Sequence, residues 1–278
     1  MTVVRNATPA DVEGVAAVVR DVWAREILPE VCRAQTEDDT SGLWVAVEEG
    51  HVVGFASAFL TVNEAQDRRW ELDLVAVTPA LQGQGLGERL IRRACQDGAQ
   101  RDIALVRALV RVGNVASQKA FGRAGFMTDR RVYHLLQWSP RPARTPAAAV
   151  DGVSLLPVDT LVYRGLWIEG LEDVSPIRQS SAVAAARSII AREGRLTAGA
   201  LVAADREHLL AAGVRSRAET IGAYYWFVTP ISAAGTQRQT MLRHGPGQCP
   251  QRVVDFPHQL TERQHEDLRS HIRSRVSG

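Results

Sequence analysis

The chain has 278 residues, 45% of them apolar and 23% charged. That length suits two modest domains, and the composition excludes wholesale disorder, collagen and disulfide-scaffold classes. The net charge of +2 divides unevenly, with −2 over residues 1–140 and +4 over residues 141–278, and lysine occurs only at Lys119, so arginine carries nearly all the positive charge.

In chain order, Pro9 to Ile27 places Val12, Val15, Ala16, Val19, Val22 and Trp23 at helical spacing. Leu43 to Glu48 and His51 to Val62, joined at Glu49-Gly50, read as a β-hairpin. Trp70 to Val77 alternates, with Leu72, Leu74 and Ala76 on one face and Glu71 and Asp73 opposite them beside Val75 and Val77. A glycine-rich turn opens a helix from Leu86 to Asp97, a buried strand follows at Ala104 to Val112, and a helix at Ala116 to Arg123 ends before Gly125. Val132 to Trp138 closes this half as an apolar and aromatic strand. Mixed α/β architecture follows from the order.

Ser139 to Gly152 interrupts every apolar period with three prolines and a run of alanines, so residues 139–152 read as a linker between domains 1–138 and 153–230. Beyond it come a strand at Thr160 to Ile168 and a helix at Ala182 to Arg192. Then follow Ala198 to Ala203, a short helix Arg206 to Ala212 capped by Gly213, and a strand Ala223 to Val228. Residues 231–278 form a basic polar tail with a terminal helix at Thr261 to Val276.

No apolar run reaches bilayer length, and the opening MTVVRNATPADVEG lacks the layout of a signal peptide, so an unanchored cytoplasmic protein is expected. Cys32, Cys95 and Cys249 lie far apart and form neither a CxxC pair nor a zinc quartet, in keeping with a reducing compartment. His244, Cys249, His258, His265 and His271 are irregularly spaced, and no metal is expected.

The chemistry concentrates in Leu74 to Gly87, where strand, tight turn and helix start are adjacent. Glycine at 83, 85 and 87 lets the backbone approach a ligand, and the exposed amides with the positive helix end suit a phosphate. The dinucleotide spacing fails at Glu88 and Leu90, and no Gly-Lys-Ser/Thr follows for a P-loop. Gln82, Gly85 and Gly87 match the Gln/Arg-x-x-Gly-x-Gly/Ala signature of the GNAT superfamily of coenzyme A-dependent N-acetyltransferases, which the segment resembles. A second block, Leu109 to Asn114 followed by Ala116 to Phe126, resembles the family's strand, asparagine and helix. The resemblance covers residues 2–138.

It implies the GNAT acyl-CoA N-acyltransferase fold with acetyl-CoA as co-substrate. The pyrophosphate would rest on the amides of Gln82, Gly83, Gln84, Gly85, Leu86 and Gly87. The pantetheine arm would pair with Val75 and Val77, and the Val75 amide would polarise the thioester carbonyl. Asn114 matches the position that holds the arm, and equally suits an N-cap. The family's tyrosine acid is replaced by Phe121, read as core, which leaves Tyr133, His134, water or unassisted departure for the thiolate. Glu71 is the first choice as base and Asp73 the second, with a solvated sheet edge as the alternative.

The second half echoes the same grammar without a Gln-x-x-Gly-x-Gly, as a degenerate GNAT-like unit or an unrelated accessory α/β domain, and no second coenzyme A is expected. Three roles are open to it: covering the acceptor cleft, setting selectivity, or building a homodimer. The leading expectation is acyl transfer to a primary amine of a small molecule such as a specialised metabolite or antibiotic, by direct attack. The alternatives are a natural-product transferase that takes its acyl group from an acyl carrier protein or charged tRNA, and a non-catalytic acyl-CoA sensor.

Overall fold

The computed structural model describes residues 1–63, 66–101, 103, 105–143 and 149–230. These separate into two compact units, the first made of residues 1–134, 159–162 and 222–230, the second of residues 135–158 and 163–221.

The first unit begins with β1 (Val3–Asn6) and α1 (Val12–Trp23), whose apolar stripe Val12, Val15, Ala16 and Val19 is buried. Ala24 ends α1 in the left-handed region at φ 51°, so this helix stops before the expected Ile27. A second helix, α2 (Pro29–Glu37), follows; Pro29 at its first position suits a helix start. Its few apolar residues give no clear period, so no local pattern in the sequence marks it.

The hairpin is β2 (Ser41–Glu48) and β3 (His51–Val62), with Glu49 and Gly50 both at positive φ. Next come β4 (Arg68–Val77), α3 (Leu86–Gly98), β5 (Leu105–Arg111) and α4 (Val115–Arg123), in the places their patterns indicated. Gly125 follows α4 at φ 97°. β6 (Val132–Trp138) spans the expected residues.

Strand order in the first unit runs β1-β2-β3-β4-β5-β10, where β10 (Glu219–Pro230) is the last described element of the chain. β10 pairs antiparallel with β5 from Tyr224↔Arg111 to Pro230↔Leu105. This corrects the expected partition into 1–138 and 153–230, because Ala223 to Val228 belongs to the sheet of the first unit. Alternation alone identifies such a strand without identifying its partner.

Two apolar layers sandwich this sheet. Under α3 and α4, Leu90, Ile91, Phe121 and Phe126 pack on Trp70, Leu72, Val106, Ala108, Val110 and Phe227. On the other face, α1 packs on Leu43, Val45, Phe55, Leu74 and Ala76. β4 contributes to both layers because Leu72 faces Ala58 while Leu74 faces Ser57, leaving Asp73 as the extra residue of a bulge. The bulge reverses the face of every residue after it, so Leu72 sits with Val75 and Val77 rather than with Leu74 and Ala76.

The second unit contains β7 (Ser154–Asp159), β8 (Arg164–Glu169), α5 (Pro176–Glu193), β9 (Thr197–Ala203) and α6 (Ala212–Arg215), in strand order β6-β9-β8-β7. The single strand expected at Thr160 to Ile168 is thus two, parted at residues 160–163. The helix expected at Arg206 to Ala212 is a 3-10 segment over Ala204–Leu209, and Gly213 lies inside α6 rather than capping a helix. β8 and β9 run parallel around α5, the order already seen in β4, α3 and β5. Leu166, Ile168, Ala182, Ala186, Ile190, Ala198 and Val202 form the core. The tail, its terminal helix, Cys249 and the four histidines from His244 to His271 lie outside the described residues.

Candidate active site

β4 and β5 pair in parallel over only four positions, from Arg69↔Leu105 to Leu72↔Ala108. Beyond Leu72, β4 continues to Val77 and β5 to Arg111 with no further register between them, while their outer edges stay bound to β3 and β10. A wedge therefore opens between two anchored strands. Among the described residues no strand is registered against the β5-facing edge of Leu74 to Val77, which includes the backbone of Val75 and Val77.

The glycine-rich turn lies directly after this open edge. A short 3-10 segment over Pro79–Leu81 leads to Gln82, whose side-chain amide donates to the Val77 carbonyl at 3.0 Å. Gly83 and Gly85 take φ values of 77° and 80°, a region that L side chains enter at a cost, and α3 starts at Leu86. The first α-helical bond runs from the Arg89 amide to the Gly85 carbonyl at 3.1 Å. The amides of Leu86, Gly87 and Glu88 thus belong to the first turn, whose N–H groups have no intrahelical acceptor. No atom lies within 4 Å of where a Cβ would sit at Gly83 or Gly85, so their requirement is conformational.

Asn114 occupies the N-cap of α4, its side-chain oxygen accepting from the Ser117 amide at 3.0 Å. Gln118 ties the same helix to the end of β5, its side-chain amide donating to the Arg111 and Val112 carbonyls at 3.1 and 2.8 Å. Phe121 is core, edge-on to Phe126 at 5.0 Å and near Phe227 at 5.9 Å.

Glu71 is fully buried and accepts a two-pronged grip from Arg107, through Nε at 2.8 Å and Nη2 at 2.6 Å. Thr61 also donates to it, and the Arg69 Nε lies 3.7 Å away and donates to Thr61 at 3.2 Å. Trp226 of β10 lies under the Arg107 guanidinium at 5.3 Å. The solvated-edge alternative fails for both carboxylates, since Glu71 and Asp73 are buried. They also do not share a face with Val75 and Val77 as expected, because the bulge at Asp73 intervenes. Arg107, Arg69 and Thr61 are site residues that no motif in the sequence marks. An arginine inside the apolar strand LVRALV was the available signal, since such a charge requires a buried partner.

Tyr133 is buried edge-on to Trp226 at 6.0 Å, with Arg131 over its ring at 5.8 Å, and His134 follows it half-buried. Cys32 and Cys95 are free thiols pushed up to about 11 and about 12 by burial, which suits structural roles. Among the described residues no group of three metal-binding side chains converges.

The strand-to-helix turn before α5 in the second unit is built differently. In the first turn of α5, Gln179 is buried and donates to the Val174 and Leu209 carbonyls at 3.1 and 3.2 Å while accepting from the Ala211 amide at 2.7 Å. Pro176 at the first helical position removes one amide. The chain's own side chain thus fills this turn.

The Acetyltransferase (GNAT) family model matches residues 15–126. A Bacillus subtilis (strain 168) protein named as a ribosomal protein bS18-alanine N-acetyltransferase is 29% identical over 103 residues, covering 34% of this chain. The chain spans only 65% of the length of that relative. Among solved structures, an acetyltransferase from Pyrococcus horikoshii superposes with a TM-score of 0.53 at 15% identity, over 84% of this chain and 90% of its own. The GCN5-related glucosamine N-acetyltransferase region of a fungal multi-domain GH3 β-N-acetylglucosaminidase gives 0.53 at 13% identity, over 82% of this chain and 38% of that one. At such identities the likeness is one of fold. Residues 15–126 are thus similar to the Acetyltransferase (GNAT) family, and the wedge, the glycine turn and the capped α4 lie within or at the edge of that stretch.

Proposed function

We propose that the chain transfers an acetyl group from acetyl-coenzyme A to a primary amine by direct attack on the thioester. The observation that carries this reading is the wedge between β4 and β5, whose open edge runs straight into the positive-φ turn at Gly83 and Gly85. An extended acyl-pantetheine arm fits such an edge as an added strand along Val75 and Val77. The amides from Gln82 to Gly87 take the pyrophosphate. Gln82 holds the turn through Val77, and Asn114 keeps the first turn of α4 in place. The Val75 amide faces the thioester oxygen, where a fixed donor stabilises charge that develops during attack.

Proton acceptance falls to Asp73 rather than Glu71. A carboxylate gripped by a guanidinium keeps its negative charge and gives up basicity, and Glu71 is so gripped by Arg107. Asp73 stands at the bulge where the strands part. The thiolate needs little help in leaving, because a thiol ordinarily titrates near about 8.5. Tyr133 and His134 are the side chains to substitute if a protonated leaving group proves necessary.

The bacterial relative named for alanine N-acetylation makes a peptide with an N-terminal alanine the first acceptor to test, beside small amines. Calorimetry with acetyl-coenzyme A and a turnover assay on both acceptor classes decide the matter. One bound donor per chain with turnover supports the proposal. Absence of binding would favour a carrier-protein or charged-tRNA donor, and binding without turnover on any amine would favour a sensor. A reducing intracellular setting agrees with the free thiols, and none of the described helices is long and apolar enough to cross a membrane.

A further inference from the structure

The buried ion pair lies at a special position in the wedge. Glu71↔Arg107 is the third of the four paired positions of β4 and β5, one residue before the last, Leu72↔Ala108. Side chains opposite each other in parallel strands stand on the same face, and these two meet through Nε and Nη2 of the guanidinium at 2.8 and 2.6 Å. Neither side chain reaches solvent. The carboxylate is also held by Thr61 from β3, with Arg69 of β4 3.7 Å from it, and the ring of Trp226 from β10 lies under the guanidinium. Four neighbouring strands thus converge on one carboxylate and its guanidinium at the point where the sheet divides.

A buried fork-to-carboxylate contact demands defined geometry, and setting register is the best-attested use of buried ion pairs. One residue of slip would put Arg107 opposite an apolar side chain and leave two charges unsatisfied. The bulge begins two residues beyond Glu71, so the pair fixes where β4 parts from β5 while still bound to β3, and with it the stretch Leu74 to Val77 that carries the Val75 amide.

We propose that Arg107 is a positioning residue for acetyl transfer, acting through Glu71 to fix where the wedge opens and hence where the Val75 amide points. Glu71 is its anchor and takes no proton from the acceptor. The inference rests on the acetyl-transfer reading for its kinetic arm and on the fold alone for its exchange arm.

The test uses the full chain carrying Glu71→Gln with Arg107→Gln, which keeps hydrogen-bonding groups and removes both charges, alongside Glu71→Gln alone. Hydrogen exchange at the amides of Asp73 to Val77 is expected to accelerate at least about tenfold in the double variant, with β2 and β3 unchanged. Where the chain turns over an amine, kcat is expected to fall about 10- to 100-fold with the acetyl-coenzyme A KM within about threefold, as misalignment of a reacting group predicts. In Glu71→Gln the acid limb of kcat/KM is expected to persist.

Unchanged exchange and kcat in a folded double variant would overturn the proposal, as would loss of the acid limb in Glu71→Gln. If the double variant does not fold, Arg107→Lys takes its place: it keeps the charge and loses the fork, and unchanged exchange there overturns the proposal equally. A wild-type chain that acetylates nothing would defeat the transfer reading, while the exchange arm still decides the positioning role.

Discussion

Ending the chain after Trp138 removes β10 from beside β5. The fragment 1–138 looks like a whole domain in the sequence, yet it lacks seven registered positions, from Tyr224↔Arg111 to Pro230↔Leu105. It also lacks the buried aromatics Tyr224, Trp226 and Phe227, exposed by 0%, 2% and 4%. Burial of each contributes about 1.5–3 kcal/mol, or roughly 5–9 kcal/mol together. A domain of this size is stable by about 5–15 kcal/mol, so the deletion consumes most of the margin. Arg107 loses the Trp226 ring as well, and β5 is left as an edge strand open to pairing with other chains. The expected result is a fragment that elutes as aggregate, lacks near-ultraviolet circular dichroism and shows no cooperative melt. Appending Gly222–Pro230 through a flexible linker is expected to recover part of that melt. A monomeric fragment 1–138 with a sharp transition near that of the full chain would refute the reasoning.

Acid stability offers a second check. Arg5 and Thr8 lower the Asp11 carboxyl from 3.8 to about 2. A depressed folded-state value means stability that is present above pH 4 and lost as pH falls towards 2; with half-exposed Arg5 screened by water, Asp11→Asn should cost about 1–2 kcal/mol at pH 7 and little at pH 2, read by urea melts. In a Cys249→Ser background, native Cys32 and Cys95 should resist a thiol reagent at pH 8, because thiols near 11 and 12 hold about 0.1% thiolate or less, and rapid labelling of the folded chain would contradict their burial. Gly85→Ala meets no steric obstacle but must adopt φ 80°, so a loss of about 1 kcal/mol in stability and at least about tenfold in acetyl-coenzyme A affinity is expected; unaltered affinity would remove the turn from the binding site.

Local patterns carried much of the first unit. The hairpin, β4, α3, β5, α4 and β6 each have a patterned apolar face, and Gly50, Gly85 and Gly125 punctuate the run at positive φ; those signals act over a few residues. The glycine turn was legible for the same reason. What escaped depends on contacts distant in sequence or on breaks in a period. The bulge at Asp73 shows only when β3 is laid beside β4, so the faces of Glu71 and Val75 were misjudged. The grip of Arg107 on Glu71 spans thirty-six residues and is silent in a local window. In the second unit, Thr160 to Tyr163 kept the apolar character of a strand while leaving the ladder, which merged β7 and β8 into one expectation.

The return of β10 to β5 also orders events in time. During synthesis the residues that build β1 to β5 emerge long before Tyr224 to Pro230, and at about 5–20 residues per second the wait after Trp138 is roughly 5–20 s. Throughout that interval the nascent chain presents the bare edge of β5 with Arg107 lacking its aromatic floor. The sheet face that later supports the wedge thus matures only after the second unit has been made, so the two units share one folding schedule although each has its own core.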